Sequence, residues 1–361
     1  MPALSDMRRL YRRLSVSGSY RLARLGGGRW AGYCQPAEIL ILMTNLCNAR
    51  CVHCDIWKNK GREDTPTVDE YKSFLSQLRQ WLGPAAVTFT GGEALLRPYT
   101  VELVAHASGI GLAAEVLTHG YWDDQSRMEA LARANPARVT VSLDGIGDAH
   151  TAIRGREQFF EKTSRSLATL QRLRAQERLD FTIRLKTVIM QQNLCEVDRV
   201  ARYAAENGCE VFYQPVEQNY NTPDDPRWFE HSDNWPRDAR QAAAAVRGLM
   251  ELKRQGLPIR NSYEQLEVMI PYFETPDALR VSVQQHSAHS SVPLCSAITN
   301  MQVMPNGDVL TCYGMPPAGN IRQAPIRSIW ANRQHWWQGG CCHETRFSDA
   351  EKETRGLVAL K

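Results

Sequence analysis

The chain of 361 residues lacks any run of about 18 apolar residues, so it has no candidate transmembrane helix. Its start shows no secretory signal pattern. No segment repeats, which excludes solenoid and propeller architectures. Net charge is low: 43 Lys and Arg against 39 Asp and Glu give +4, too little to argue for a nucleic-acid partner. Lysine itself is scarce, 8 against 35 arginines, a bias better read as genome base composition than as function. Ten cysteines are too few for a disulfide scaffold at this length, yet too many to pass over. A hydrophobic fraction of 43% supports an ordinary core, and the length allows one large domain and a smaller one.

Short apolar runs alternate with helical patterns. The runs predict strands at 38–44, 86–90, 112–118, 138–143, 182–190 and 210–215. Helices are expected between them at 67–82, 98–108, 123–134, 160–176 and 195–207, the first opened by a capping box, Thr67-Val68-Asp69-Glu70. Alternating strands and helices imply a parallel sheet with right-handed crossovers. Six strands cannot close an eight-unit barrel, so the expected fold class is α/β, an open partial (β/α)6 barrel over 38–216 with its chemistry at the carboxyl ends of the strands.

Around that core lie four other segments. Residues 1–37 form a basic extension with Arg8, Arg9, Arg12, Arg13, Arg21, Arg24 and Arg29. It reads either as an amphipathic helix for a membrane or acidic partner, or as a solvated helix on the barrel floor. Residues 217–291 read as a helical linker: a loop rich in Asn, Asp and Pro, a helix over 237–255, a break at Gly256-Leu257-Pro258, and a second helix from Ser262. The polar stretch that follows carries His286 and His289, whose spacing alone is weak support for a metal. A compact cysteine-bearing module is expected over 292–347, then a polar tail over 348–361.

Seven cysteines fall in two sets. Cys47, Cys51 and Cys54 share one loop after the first strand, spaced C-x3-C-x2-C. Three thiolates there can hold three irons of a cubane cluster and leave the fourth iron open to a small molecule. Gly91-Gly92-Glu93 ends the second strand; the glycines allow close backbone approach and the carboxylate suits an ammonium group. Leu117-Thr118-His119-Gly120 ends the third strand, and His119 reads as a turn histidine or as a group facing substrate. Ser142-Leu143-Asp144-Gly145 ends the fourth strand and leads to Ile153-Arg154-Gly155. The second set, Cys295, Cys312, Cys341 and Cys342, brackets a hairpin turn at Pro305-Asn306-Gly307-Asp308. Cys34, Cys195 and Cys209 stand apart and read as small buried apolar groups.

These motifs resemble the radical S-adenosylmethionine (radical SAM) superfamily, whose cores are partial barrels. The resemblance implies a 4Fe-4S cluster on Cys47, Cys51 and Cys54 with S-adenosylmethionine (SAM) chelated at its open iron. It implies that Gly91, Gly92 and Glu93 hold the amino group of SAM, and that His53, before the third cysteine, lies near the adenine. Ser142 and Asp144 resemble residues that contact the ribose, the carboxylate or the substrate, while Arg154 reads as a ligand of the methionyl carboxylate or as a loop ion pair. Where many relatives have Thr-Asn-Gly, His119 departs from the pattern. The run from Cys295 resembles SPASM and twitch domains, so a small α+β module with a second, auxiliary 4Fe-4S cluster is expected, held by Cys295, Cys312 and Cys341 or Cys342. His343 or an open iron would complete the set. Four thiolates also suit zinc.

The implied chemistry is reductive cleavage of SAM to a 5′-deoxyadenosyl radical that takes hydrogen from a substrate C–H. On strand five, Arg184 and Lys186 share a face. If that face is inward, Lys186 is a candidate base and Arg184 a substrate-holding group, with Gln214 a further inward candidate. The first expectation for the substrate is a small sugar- or aminocyclitol-like molecule, because only 37 residues precede strand one. The alternative is maturation of a ribosomally made peptide, and a third reading is a non-catalytic iron–sulfur or zinc protein. An electron donor such as flavodoxin or ferredoxin, and a reducing, cytoplasmic location, belong to the same expectation.

Overall fold

The computed structural model describes residues 34–223, 225, 227–276, 299–311 and 316–333, with two isolated positions, 14 and 18. The basic segment before residue 34, His286, His289, Cys295, Cys312, Cys341, Cys342, His343 and the tail lie outside the described residues.

Six parallel strands form in chain order: β1 (Glu38–Leu42), β2 (Ala86–Thr90), β3 (Ala113–Thr118), β4 (Arg138–Ser142), β5 (Thr182–Ile189) and β6 (Glu210–Pro215). Each lies within two residues of its sequence expectation. Helices α1 (Val68–Leu82), α2 (Thr100–Gly109), α3 (Ser126–Arg133), α4 (Asp148–Arg154), α5 (Phe159–Gln176) and α6 (Val197–Glu206) fill the crossovers. Thr67 starts α1 by the expected reciprocal cap: its N–H donates to Glu70 (2.7 Å) and its side chain accepts from Glu70 N–H (3.3 Å). The short α4 was not expected; Gly147 caps it without a side-chain bond, so no polar start signal announces it.

Alternation along the strands divides the sheet into two faces. Ile39, Ile41, Val87, Phe89, Val139, Val141, Ile183 and Leu185 are buried in one core with Tyr71, Phe74, Leu75, Leu78, Leu103 and Val104 of the helices. Each such side chain contributes about 1.5–3 kcal/mol by leaving water. The opposite face lines the open barrel and is polar: Thr88, Thr90, Glu115, Arg138, Thr140, Ser142, Arg184, Lys186, Glu210 and Gln214 are all half-buried. The sheet does not close, and its full order is β6-β5-β4-β3-β2-β1-β7-β8-β9.

That order changes the reading of the cysteine-bearing module. Its described part does not stand apart. Strand β7 (Asn300–Val303) pairs in parallel with β1, placing Gln302 beside Leu40, and β8 (Asp308–Leu310) and β9 (Gly319–Asn320) extend the sheet antiparallel. The expected Asn306-Gly307 turn joins β7 to β8, with Gly307 at φ +88°. Helix α10 (Ile326–Asn332) buries Trp330 against Trp81 of α1, and the Trp330 Nε1–H donates to the Cys34 carbonyl (2.7 Å).

The stretch after β6 is likewise tied to the barrel. It carries α7 (Ala239–Arg254), α8 (Tyr263–Glu267) and α9 (Met269–Glu274), and α7 packs against α6 and α9. Val211 exchanges backbone hydrogen bonds with Pro258 and Arg260, and the Asn261 side chain pairs with both backbone groups of Tyr213 (2.8 Å each). The outer edge of β6 is therefore covered. Cys34 and Cys209 are buried as expected, whereas Cys195 is exposed, in a polar turn before α6. Among the described residues no helix is long and apolar enough to cross a membrane.

Candidate functional site

The cysteine loop leaves β1 at its carboxyl end and is held by its neighbours' backbones. On one side, Gly92 N–H donates to the Thr44 carbonyl (2.7 Å) and Glu93 N–H to the Leu46 carbonyl (3.0 Å). A Cβ on Gly91 (φ +125°) would sit 2.4 Å from the Thr44 oxygen, and one on Gly92 would sit 2.2 Å from the Leu46 oxygen. On the other side, Arg50 N–H and Val52 N–H donate to the carbonyls of Arg154 and Ile153 (3.0 Å each). Gly155, at φ +67°, would place a Cβ 2.3 Å from the Arg50 oxygen. The glycines thus let the backbone approach the cysteine loop itself closely.

Side chains complete the seat. Glu63 accepts Asn45 N–H (2.6 Å) and the Thr44 hydroxyl, and pairs with Arg97. Arg156 Nε–H donates to the Asn48 carbonyl (3.1 Å). Asn219 and Asn234, from the stretch after β6, donate to the Val52 carbonyl (3.2 and 3.0 Å).

Within this frame Cys47, Cys51 and Cys54 gather with Ala49, Phe159 and Tyr121. Burial, with the Glu93 carboxylate adding to it, pushes the Cys47 thiol up to about 12. Burial also lifts Cys54 to about 11 and raises Cys51, where Arg154 opposes it. Such thiols ionise only when a metal replaces their protons. Among the described residues no three His, Cys, Asp or Glu side chains converge closely enough to grip a single metal ion. Three thiols, Cys51 buried and Cys47 and Cys54 half-buried, on a backbone-locked loop fit a cubane, in which each thiolate binds its own iron.

Around the thiols, the other candidates fall into three places. Glu93 is buried; Oε1 accepts Leu95 N–H (3.1 Å) and Oε2 accepts His119 N–H (2.9 Å). His119, open to either reading in the sequence, belongs to the site. Its Nδ1 accepts Tyr121 N–H (2.9 Å), so Nε2 carries the proton, 2.8 Å from Asn48 Oδ1 and 3.2 Å from Glu93 Oε2. Burial lowers its pKa against the pull of Glu93, so the ring is neutral. Its place directly after β3, where the related motif has Asn, was the signal that could have identified it.

The second place lies behind the loop. Asp144 is fully buried, its Oδ2 2.6 Å from Arg154 Nη2, and its Oδ1 accepts Val188 N–H (2.9 Å). Burial works against its charge, but Arg154, His53 and His150 outweigh that and hold the carboxyl below its usual range. Arg154 donates to Cys51 Sγ (3.5 Å). Asp144 is thus engaged by Arg154 and Val188, and Arg154 by Asp144 and Cys51, which matches the loop ion-pair reading of Arg154. His53 is half-buried with its Nδ1 enclosed and unpartnered, and burial pulls its pKa to about 4.

The third place is the barrel interior. Lys186 and Arg184 share the inward face, as one of the two sequence readings had it. Arg184 pairs with Glu210 (Nη2–Oε2 2.7 Å), beside the Arg138–Glu115 pair, an ion pair that accounts for its half-buried charge. Lys186 lies in register with Ser142 and Phe212; its carbonyl accepts Leu143 N–H (2.9 Å), while its side chain makes no hydrogen bond or ion pair among the described residues. Burial lowers its pKa, opposed by Glu217 and Glu38. Gln214 follows two residues later, in register with Val188.

Comparison with known proteins agrees with this geometry. Residues 41–204 match the Radical SAM superfamily. The chain is 27% identical to the AdoMet-dependent heme synthase of Methanosarcina barkeri over 83% of each protein. It is 25% identical to the PqqA peptide cyclase of Streptomyces rochei, over 82% of this chain and 75% of that one. Against several further relatives the match spans less than half of their length. SuiB of Streptococcus suis, solved with its precursor peptide SuiA, superposes with a TM-score of 0.61 at 15% identity, over 90% of this chain and 71% of SuiB. The chain carries a radical SAM domain over residues 41–204, and the relatives it matches over most of its length are enzymes.

Proposed function

We propose that this enzyme modifies a ribosomally made peptide, with Cys47, Cys51 and Cys54 each holding one iron of a 4Fe-4S cluster that binds SAM. The observation that carries the radical SAM half of the reading is the seat of the thiol loop, locked on two sides where no Cβ fits. When bound, the cluster and SAM supply a 5′-deoxyadenosyl radical able to take hydrogen from an unreactive C–H. The chain's own residues bind, orient and shield. Glu93 offers its remaining lone pairs to the amino group of SAM, and neutral His119 fixes that carboxylate against Asn48 of the loop. His53 within the loop and Ser142 at the carboxyl end of β4 are the candidates for contacts with the rest of SAM. Lys186 and Gln214 face the interior, where Lys186 is the candidate for holding an anionic group or accepting a proton.

The likeness to a PqqA peptide cyclase over four-fifths of the chain favours a peptide. The sugar or aminocyclitol expectation has no counterpart among these relatives and is set aside. A heme precursor is the competing substrate, because the heme synthase match spans as much of the chain. An auxiliary cluster on Cys295, Cys312 and Cys341 or Cys342, and reduction by a flavodoxin or ferredoxin, complete the proposal.

The test is anaerobic reconstitution, reduction, and incubation with SAM alone, with a short peptide encoded beside the gene, or with an iron-free or iron-bearing heme precursor. The expected result is 5′-deoxyadenosine in all arms and a changed mass for the peptide alone. No 5′-deoxyadenosine under any condition refutes the radical chemistry. A modified heme precursor beside an unmodified peptide refutes the peptide assignment.

A further inference from the structure

The three thiols of the loop do not have equal surroundings. Cys47 accepts a backbone bond from Ala49 and lies near the Glu93 carboxylate. Cys54 accepts a backbone bond from Ile56. Arg154 also lowers the Cys54 pKa by its charge, but among the three cysteines it donates only to Cys51, its Nη1–H 3.5 Å from that sulfur. That cation is in turn met by a full anion, Asp144, at 2.6 Å.

The pair is enclosed. Cys51 and Arg154 are each 7% exposed and Asp144 and His150 not at all. Asp144 is fixed from three directions: Val188 N–H donates to its Oδ1, its own N–H donates to His150 Nδ1 (3.0 Å), and Asn193 donates to its carbonyl (2.8 Å). Arg154 is fixed at the end of α4, where its carbonyl accepts Arg50 N–H of the cysteine loop. Hydrogen bonds to cluster sulfurs, nearby charge and solvent exposure are what set the potential of an iron–sulfur centre.

We propose that Arg154 and Asp144 are a charge couple that sets the reduction potential of the cluster through the Cys51 sulfur, Arg154 drawing electron density from it and Asp144 limiting how much of that positive charge the sulfur feels. Both are positioning residues in this role. The inference rests on the reading that Cys47, Cys51 and Cys54 hold a four-iron cluster. It carries a signature that a merely structural pair lacks: removing the two partners separately moves the potential in opposite directions. Arg154→Met leaves the Asp144 carboxylate uncompensated and the sulfur without its donor, so the cluster becomes harder to reduce. Asp144→Asn keeps an acceptor for Val188 N–H but frees the guanidinium charge, so the cluster becomes easier to reduce.

The experiment is a dithionite titration of the reconstituted full chain without SAM, followed by electron paramagnetic resonance. The measured couple is one electron passed from dithionite to the cluster, with no bond made or broken. The expected result is at least a tenfold fall in the reduced-to-oxidised ratio at fixed potential for R154M, about 59 mV for one electron, and a rise of similar size for D144N. Arg154→Lys, which keeps the charge, shifts less than Met, and the R154M/D144N double variant falls between the singles. Circular dichroism and iron content verify that each variant is folded and loaded. Potentials that do not move, that move together, or clusters lost alike from both single variants overturn the inference. Unmoved potentials with weakened SAM binding in R154M would return Arg154 to the cofactor's carboxylate. If the unaltered protein itself loads no four-iron cluster, it is the parent reading that fails.

Discussion

Gly92→Ala tests the seat of the thiol loop most directly. The added methyl would stand 2.2 Å from the Leu46 carbonyl oxygen and 2.7 Å from its carbon, more than 1 Å inside ordinary contact, and the obstacle is backbone that cannot rotate away. Relief requires the loop to lift. Lifting breaks the bond from Gly92 N–H to Thr44 (2.7 Å) and the bond from Glu93 N–H to Leu46 (3.0 Å). A buried backbone group left unpaired costs about 1–3 kcal/mol, so the pair amounts to about 2–6 kcal/mol if water does not enter. The loop lies at the barrel mouth, where water can reach the freed groups, so the cost falls more on the geometry of the thiols than on the fold. Iron retained after anaerobic reconstitution should therefore fall severalfold while the Tm drops by only a few degrees. Gly109→Ala is the control, because no atom lies within 4 Å of its Cβ, and Ala at the end of α2 should leave stability unchanged or raise it by up to about 1 kcal/mol. A G92A protein that loads iron and melts like the unaltered chain would refute the argument that backbone contact at this glycine positions the thiols.

Three further outcomes are expected. Glu63→Gln replaces the charged acceptor of Asn45 N–H and the partner of Arg97. Such bonds are worth about 1.5–3 kcal/mol, so chelators should strip iron faster with the fold intact, and equal stripping rates would count against the clamp. Burial, aided by Arg154, holds His150 neutral with a pKa of about 3, against about 6.5 in an unfolded chain. The unfolded chain then binds the extra proton, so this group's contribution to stability is lost as pH falls from about 6.5 toward about 3, by up to about 1.4 kcal/mol per pH unit. His150→Leu should lower stability overall but flatten the fall of Tm with acid, and an unchanged acid slope would show that another group governs it. Lys186→Met should keep iron and fold but lose turnover, whereas Arg184→Met should lose stability by uncovering Glu210; unchanged turnover in K186M would remove Lys186 from the mechanism.

What was legible in the sequence was local. Val87 and Phe89 alternating with Thr88 and Thr90 reveal a strand with one buried face, and Thr67 with Glu70 reveals where α1 starts. The spacing of Cys47, Cys51 and Cys54 and the Gly91-Gly92-Glu93 turn pointed to the site without any tertiary information. Links of long sequence separation left no such trace. Gln302 lies beside Leu40 across more than 260 positions, and nothing near either residue foretells that β7 completes the edge of β1. His119 reaches Asn48 over 71 positions and Glu93 over 26, so its membership of the site emerges only with the fold. Cys195 was misjudged by residue type, although its neighbours Gln191, Gln192 and Asn193 already marked a polar turn.

In the sequence, Gly91 and Gly92 read as room for close backbone approach, and Gly155 leaves similar room at the end of Ile153-Arg154-Gly155. In the fold that room is filled by Thr44, Leu46 and Arg50 of the cysteine loop. The consequence is a division of labour within each motif. The glycines clamp the loop from opposite sides, and the charged neighbour in each motif, Glu93 or Arg154, faces a different thiol: Glu93 lies near Cys47 and Arg154 touches Cys51. Backbone clamps suit this task because a hydrogen-bonded main chain with no intervening side chain has little freedom to drift. A cubane requires three sulfurs at fixed separations, whereas a flexible three-cysteine loop would sample many. The two charged groups, of opposite sign, then stand beside different sulfurs of a loop whose backbone is held in place.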